Sequence, residues 1–239
     1  DMYKREVIRI LKNEKPTEEN LAKLREFAER HENYVVKPVY AAFGNGVRVE
    51  NLGMYDSVEE AHQEYSKSGA VIEEVIVQGE ALSKIHAGSV NTLRIPTAII
   101  KNEEGEPEIK LFHPSIRMGR GDSFVDNFSA GGVSALIDAE TGVIYTDGAD
   151  KKGHTYECHP DSGIRFKGFQ IPQWDEAVSM VKEAGMMIPD NHYCGWDLAY
   201  SRDHGWCMVE ANCTAQMGAM QMVTKTGRKY ELEELIKQM

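Results

Sequence analysis

The chain has 239 residues, enough for one large domain or two small ones with a sizeable apolar core. Its 38 acidic residues outnumber its 27 basic ones and give a net charge of −11. This argues against a protein that binds nucleic acid non-specifically, because such binding needs a positive surface. The apolar runs are too short for a membrane-spanning helix, and no signal peptide is visible. We therefore expect a globular protein that binds no nucleic acid and has no membrane span.

The N-terminal region predicts two helices. Val7, Ile8 and Leu11 have helical spacing and predict an amphipathic helix over residues 1–12. Thr17 precedes a turn rich in acidic residues, which is typical of a helix cap, and a helical apolar stripe follows it.

The apolar run 34–39 predicts a buried strand that contains Lys37. A lysine in such a strand is costly unless it meets a negative partner. The loop after the strand contains Gly44 and Gly46, and such a loop can present backbone N–H groups to phosphate, although a plain turn also accounts for it.

The middle of the chain alternates helices with β-rich runs. A capping box at Ser57 predicts a helix over about residues 58–67, and residues 70–78 predict a strand. The long β-rich run 89–100 contains Arg94, which also needs an anionic partner. Hairpins mixed with helices indicate an α+β fold.

Three features of the second half bear on function. Arg117 leads into a glycine-rich polar stretch that includes Asn127. Four cysteines without a Cys-x-x-Cys pair favour free thiols in a reducing cytoplasm. The clustering of His154, Cys158 and His159 leaves zinc binding as an alternative.

The segment 195–212 consists of two apolar runs around the polar turn Arg202–Gly205 and predicts a β-hairpin. If the chain folds back near the centre of that turn, Asp197 lies across from Glu210, and Asn212 shares the face of Glu210. Two carboxylates and an amide oxygen are ligands that suit Mg²⁺, although exposed hairpin acids are also common.

A nucleotide site explains these features together. Lys37, Arg94 and Arg117 are cations in or beside apolar strands, and the hairpin supplies carboxylates. Cations that neutralise phosphate oxygens and carboxylates that hold Mg²⁺ are what phosphoryl transfer requires.

At this point the chain resembles the ATP-grasp fold, whose members are mostly carboxylate–amine ligases. The ordered motifs that carry the resemblance are Val35-Val36-Lys37-Pro38, Gly44-Asn45-Gly46, Ile72-Glu73-Glu74-Val75-Ile76 with Glu80, Asn127 with Gly131-Gly132, Gly195-Trp196-Asp197 and Glu210-Ala211-Asn212. The run Ser89-Val90-Asn91-Thr92-Leu93-Arg94-Ile95 is similar to the sugar-transfer-associated branch. These motifs extend from about residue 34 to residue 213.

The resemblance implies a fold of two α+β subdomains, residues 1–80 and 81–239, that hold ATP between antiparallel sheets. It implies that Glu73 faces the adenine amino group, that the backbone at Glu74 and Ile76 reads the adenine edge, and that Glu80 holds the ribose. Asn127 belongs to the same cofactor-binding set.

The remaining roles concern phosphate and metal. The resemblance implies that Lys37 contacts the phosphates, and that backbone N–H groups of residues 43–47, with Gly44 and Gly46, close over them as a lid. Arg94 and Arg117 would steady the transferred phosphoryl group. Asp197, Glu210 and Asn212 would hold one or two Mg²⁺ ions, or Mn²⁺.

The implied activity is that of an ATP- and Mg²⁺-dependent ligase, which joins a small-molecule or peptide carboxylate to an amine through an acyl phosphate and releases ADP and phosphate. Only 36 residues precede Lys37. We therefore expect that the α/β domain that usually precedes this fold is absent or cut away, and that another copy or a partner chain supplies its substrate contacts.

Two alternatives stay open. The same fold supports a phosphotransferase that acts on a hydroxyl or a histidine, with His86 or His113 as a conceivable phosphate carrier. A nucleotide-binding module without turnover is the other. The phosphoryl acceptor separates ligase from kinase, and ADP production separates both from the non-catalytic module.

Overall fold

A computed structural model describes residues 2, 4–40, 46–121, 126, 128 and 131–239. Its contacts divide the chain into two compact units. The smaller unit is Tyr3–Ile76, and the larger one comprises Val77–Met239 together with the first two residues. The division therefore falls after Ile76, four residues before the boundary after residue 80 that the resemblance implied.

The smaller unit is a four-stranded antiparallel sheet with two helices. Its elements are β1 (Val7–Ile10), α1 (Glu18–Arg30), β2 (Tyr34–Pro38), β3 (Arg48–Glu50), α2 (Val58–Ser68) and β4 (Ala70–Glu74), with a short 3₁₀ turn at Leu52–Met54. The strand order is β1-β4-β2-β3. Apolar side chains from both helices and from the sheet, including Leu24, Phe27, Tyr65 and Ile72, form its core.

The amphipathic helix expected over residues 1–12 is wrong. Residues Val7–Ile10 form a strand that pairs antiparallel with β4. Three of its four residues are β-branched, which favours a strand, and the free edge of β4 offers a row of backbone hydrogen bonds. The apolar spacing spans too few turns to outweigh these two effects.

Glu6 lies just before the edge strand β1 and contacts the C-terminal end of α1. Its carboxylate accepts hydrogen bonds from the guanidinium of Arg30, with Nε at 3.0 Å, and lies 2.9 Å from Nε2 of His31. The hydrogen bond from Arg30 is the largest influence and lowers the pKa of Glu6 to about 2.

We expect the Glu6→Gln variant to be less stable than the wild type at pH 7, by roughly 1 kcal/mol, because solvent screens this half-exposed pair. A depressed carboxylate pKa stabilises the fold above the unfolded-state value of 4.5, and this contribution is lost as the pH falls towards 2. Urea unfolding of both proteins across this pH range should therefore show the difference shrinking with acidification. A difference that persists at the acid end would show that the effect is not electrostatic.

The larger unit is built on an eight-stranded antiparallel sheet. Its elements are α3 (Glu80–Ser83), β5 (Thr92–Lys101), β6 (Pro107–Leu111), β7 (Ser115–Met118), β8 (Val133–Leu136), β9 (Gly148–Ala149), β10 (Thr155–Tyr156), α4 (Trp174–Met186), β11 (Tyr193–Ser201), β12 (Gly205–Asn212), α5 (Gly218–Thr224) and α6 (Lys229–Gln238). The strand order is β10-β9-β8-β7-β5-β11-β12, with β6 paired to β5.

The two faces of this sheet are covered differently. One face carries the main core, where Leu93, Ile95, Trp196 and Leu198 pack with the apolar stripe of α4. Side chains alternate along each strand, so Arg94 and Asp197 belong to the opposite face.

On that opposite face, α5 and α6 cover one end and form a smaller cluster with Ala98, Leu136, Met220 and Leu235. The polar part of the face lies farther along the same strands. The helices and antiparallel hairpins confirm the expected α+β class.

Two further expectations can be compared with the structure. No described helix is long and apolar enough to cross a membrane. All four cysteines are in the described part of the chain, and none forms a disulfide.

Candidate active site

The hairpin of β11 and β12 places the carboxylates as expected. Asp197 pairs with Glu210, and Gly195 pairs with Asn212. The register shifts between Asp197 and Leu198, because Val209 is an extra residue on β12. Without this bulge Val209 would stand opposite Asp197, and Glu210 would point to the other face of the sheet.

Asp197 is the centre of an ionic cluster on this face. Its side chain is only 2% exposed and accepts two hydrogen bonds from Arg94, one of them from Nη2 at 2.9 Å. Arg117 donates a third hydrogen bond from Nη2 at 2.8 Å. The sheet creates this cluster, because Asp197 on β11 pairs with Arg94 on β5, and β7 brings Arg117 to the other side of β5. Asp197 is therefore the anionic partner that Arg94 requires.

Thr92 and Asp126, which were not predicted as site residues, complete the cluster. The hydroxyl of Thr92 accepts hydrogen bonds from Arg117, at 3.0 Å from Nε and 2.7 Å from Nη2. The same hydroxyl donates to Asp126, which also accepts from the backbone N–H of Thr92 at 3.0 Å. Asp126 lies 3.7 Å from Arg117 as well. An alternation signal on β5 could have placed Thr92 beside Arg94, but nothing local pairs residue 126 with a distant strand.

The charges in this cluster shift the carboxylates in opposite directions. Burial opposes the ionisation of Asp197, but the Arg117 and Arg94 guanidiniums outweigh it and hold the pKa of Asp197 below its usual range. Partial desolvation and the neighbouring Asp197 charge raise the pKa of Glu210. Burial raises the pKa of Asp126. The cluster thus has three carboxylates for two guanidiniums, and Glu210 is the most exposed of the three.

This arrangement fits a divalent cation at its open end. Glu210 is exposed and accepts a hydrogen bond from the amide nitrogen of Asn212 at 3.2 Å, which leaves carboxylate and amide oxygens available as hard donors. Asp197 differs from this pair, because both of its oxygens accept hydrogen bonds from guanidiniums. Glu210 and Asn212 could therefore offer oxygens to Mg²⁺ more readily than Asp197, whose carboxylate orients the two arginines.

In the smaller unit, Lys37 and Glu73 lie on neighbouring strands on the face opposite the helices. Nζ of Lys37 is 2.7 Å from Oε2 of Glu73, and Nη1 of Arg5 reaches the same oxygen at 2.7 Å. The Glu73 side chain is 5% exposed, whereas that of Lys37 is 28% exposed. The negative partner expected for Lys37 is thus Glu73, the residue for which the resemblance implied an adenine contact.

The other predicted cofactor residues are distributed as follows. Glu74 accepts a hydrogen bond from the backbone N–H of Glu6 at 3.2 Å, and Ile76 is half-buried. Glu80 begins α3 with an 89% exposed side chain. Gly46 has a φ of 74°, a left-handed conformation that favours glycine. Gly44 and Asn127 lie outside the described residues, so their roles remain predictions.

The structure does not gather His154, Cys158 and His159 into a zinc site. Nδ1 of His154 is 2.9 Å from Oδ2 of Asp150, whereas Nε2 of His159 donates to the backbone carbonyl of Gly119 at 2.8 Å. The two histidines therefore belong to different local networks, although they are close in sequence.

Comparison with solved structures identifies the fold. ATP-grasp ligase PsnB complexed with a minimal precursor matches 98% of this chain and 55% of its own length, with 13% identity and a TM-score of 0.53. D-alanyl-alanine synthetase A from Vibrio cholerae matches with 9% identity and a TM-score of 0.52, over 98% of this chain and 60% of that one. D-cycloserine synthetase DcsG matches with 12% identity and a TM-score of 0.50, over 98% of this chain and 65% of that one. The chain thus has the ATP-grasp fold and spans little more than half the length of the first of these proteins.

The family follows from the sequence profile of the sugar-transfer associated ATP-grasp proteins, which matches residues 5–237. The chain belongs to this family, and the resemblance drawn from the ordered motifs is confirmed. A comparison with functionally curated proteins gave no significant match.

Proposed function

We propose that this chain is the ATP-binding part of an ATP- and Mg²⁺-dependent ligase that joins a carboxylate to an amine. The observation that supports this most strongly is the pair of guanidiniums, Arg94 and Arg117, fixed by buried Asp197 beside an open carboxylate at Glu210. Membership of an ATP-grasp family supports the use of ATP. In this proposal the two compact units are the two ATP-grasp subdomains.

The chemistry requires positioning and charge neutralisation rather than a nucleophilic side chain. An oxygen of the substrate carboxylate attacks the γ-phosphorus of ATP, the bond to the β-phosphate oxygen breaks, and ADP leaves. The amine then attacks the carbonyl carbon of the acyl phosphate, and phosphate leaves with the C–O bonding electrons. Arg94 and Arg117 would face the negative oxygens of the transferred group. The hydrogen bonds that both arginines donate to Asp197, and that Arg117 also donates to Thr92, keep them oriented.

Glu210 and Asn212, with Asp197 behind them, would hold Mg²⁺, which supplies charge neutralisation for the phosphates. The identity of the acid and the amine is open. PsnB is complexed with a minimal precursor in one structure and with a precursor peptide in another, and the other two similar proteins are a D-alanyl-alanine synthetase and a D-cycloserine synthetase. We therefore propose a small-molecule or peptide carboxylate, with a further domain, a second copy or a partner chain completing the substrate site. An ATP-dependent role and four cysteines that form no disulfide agree with a cytoplasmic location.

The test is product analysis. The protein is incubated with ATP, Mg²⁺ and a pool of carboxylic acids and amines, and the products are analysed by mass spectrometry. We expect ADP, phosphate and a product that is lighter than its two parts by one water. ADP with a phosphorylated hydroxyl or histidine would identify a kinase instead. ATP binding without consumption across the pool would favour the non-catalytic module.

A second prediction concerns Lys37. We expect the Lys37→Met variant to bind ATP about 10-fold more weakly or worse, because one charge-assisted contact with a phosphate is worth about 1.5–3 kcal/mol. Its melting temperature without nucleotide should change little, since Arg5 still neutralises Glu73. Calorimetric titration with ATP and a thermal melt measure the two effects. A large fall in melting temperature with unchanged ATP affinity would assign Lys37 a purely structural role.

A further inference from the structure

A second group of potential ligands lies in the larger unit, separate from the ionic cluster around Asp197. One ring nitrogen of His86, one of His159 and a carboxylate oxygen of Asp161 lie within 4.8 Å of one another. His86 follows α3, whereas His159 and Asp161 follow β10. The sequence spacing grouped His159 with His154 and Cys158. It could not group His159 with His86, which is distant in the chain.

His159 is oriented as a metal ligand would be. It is 1% exposed, and its Nε2 donates to the carbonyl of Gly119 at 2.8 Å. That bond places the proton on Nε2, so Nδ1 is the acceptor and receives a long hydrogen bond from the backbone N–H of Asp161 at 3.3 Å, which a metal ion on Nδ1 would displace. A ligating histidine typically donates its other ring N–H to a carbonyl or carboxylate in this way.

His86 is buried and faces the Asp161 carboxylate with one of its ring nitrogens. Its side chain is 6% exposed, Nδ1 lies 3.3 Å from Oδ2 of Asp161, and Nε2 has no hydrogen-bond partner among the described residues. The hydroxyl of Ser89 is likewise buried and has no partner in the same part of the chain. Both atoms lie close to Gly119. A Cβ added to this glycine would be 2.4 Å from Oγ of Ser89 and 3.1 Å from Nε2 of His86. A metal on Nδ1 would place the proton of the neutral His86 ring on Nε2.

The spacing and the donor types point to a transition metal rather than Mg²⁺. Ligand atoms about 2.0–2.1 Å from a tetrahedral zinc ion are about 3.3–3.4 Å from one another. The separation between His86 and Asp161 is 3.3 Å, longer than the 2.7–2.9 Å or so of a charge-assisted hydrogen bond. Imidazole nitrogens suit Zn²⁺, whereas Mg²⁺ prefers oxygen ligands. The Asp161 side chain is 41% exposed, which gives an ion a route in and leaves room for a water ligand.

We propose that Nδ1 of His86, Nδ1 of His159 and the carboxylate of Asp161 bind one divalent transition-metal ion, with Zn²⁺ the best fit. The ion would link the segment after α3 to the segment after β10. The backbone N–H of Gly121 donates to Asp161 at 2.7 Å and fixes the carboxylate from the other side. This site does not depend on the ligase proposal, because it uses none of the same residues.

The experiment titrates the chelator-treated chain with Zn²⁺ alone, in competition with a chromophoric zinc indicator and in excess Mg²⁺. We expect one zinc ion per chain that Mg²⁺ does not displace, and a higher melting temperature with zinc than without. His86→Gln and Asp161→Asn should each weaken zinc binding by about 10–100-fold or more. His154→Gln is the matched control, because His154 is also paired with an aspartate but lies outside the group. It should bind zinc as the wild type does.

The Asp161→Asn variant separates a loss of zinc binding from a loss of folding. Its side chain is partly exposed, and the amide oxygen can still accept the hydrogen bond from Gly121. Metal-free melts of each variant check that the fold is kept. Absence of stoichiometric zinc in the folded wild type would overturn the proposal. Equal zinc affinity in Asp161→Asn, His86→Gln and the His154→Gln control would do so as well.

Discussion

Replacing Glu210 by Gln is expected to lower Mg²⁺-dependent ADP formation on the order of 10³-fold, because an ion that neutralises phosphate charge contributes several kcal/mol to the transition state. The melting temperature should stay the same or rise slightly. The reason is the raised pKa of Glu210, since partial desolvation and the Asp197 charge make its ionised form unfavourable without a cation. A loss of activity without a loss of stability would show that the Glu210 side chain serves ligand binding and not folding.

The measurement is steady-state ADP release at several Mg²⁺ concentrations, with thermal melts of both proteins. Glu108→Gln is a suitable control, because Glu108 is an exposed glutamate on β6 of the same sheet. ADP release by the Glu210 variant near the wild-type rate would remove Glu210 from the metal site. A rate that recovers at high Mg²⁺ would indicate weaker metal binding and support the assignment.

The Asp197–Glu210 pair shows how far the sequence could predict the site. The pairing was expected from a fold-back near the centre of the turn, and it is confirmed. The observed turn is one residue shorter than the expected turn Arg202–Gly205, because Ser201 pairs with Gly205 and the loop is only Arg202–His204. The bulge at Val209 compensates for the difference. A bulge leaves little local signal, so the correct pairing came from an incorrect count.

The cations Lys37 and Arg94 show a different limit of prediction from the sequence. A charged residue in an apolar strand predicts that a partner exists, since an unpaired buried charge is very costly. It does not say which residue the partner is. Arg94 and Asp197 are 103 positions apart and meet only because β5 pairs with β11. Lys37 and Glu73 meet in the same way across β2 and β4.

The helical spacing of apolar residues misled at the N-terminus for a related reason. The spacing of Val7, Ile8 and Leu11 was compatible with a helix, but the β4 edge supplied backbone partners that no pattern within residues 1–12 could reveal. The helix capped by Thr17, the helix over about residues 58–67 and the strands over 34–39 and 70–78 depended on local signals and were recovered more closely, as α1, α2, β2 and β4. Fold class and family were therefore accessible from the sequence, whereas the ionic networks needed the sheet register.

Replacing Asp197 by Ala is expected to destabilise the larger unit by about 3–5 kcal/mol, because it leaves buried cations without their shared partner. Side chains of Arg94 and Arg117 are only 17% and 13% exposed, so water cannot replace the lost carboxylate. Asp126 offers Arg117 a partner at 3.7 Å, but it is itself bound to Thr92 and its pKa is raised by burial. For a unit of this size the loss corresponds to a melting temperature lower by roughly 6–20 °C.

The matched control is Asp203→Ala in the turn of the same hairpin. Asp203 also receives two hydrogen bonds from one guanidinium, at 3.0 and 3.1 Å from Arg202, but both side chains are exposed. Exposed pairs of this kind contribute little, so no measurable change in melting temperature is expected there. Equal effects of the two substitutions would show that burial does not govern the Asp197 pair. If the Asp197 effect is large and Arg94→Met with Arg117→Met restores stability in the triple variant, the cost lies in the uncompensated charges and not in the lost packing.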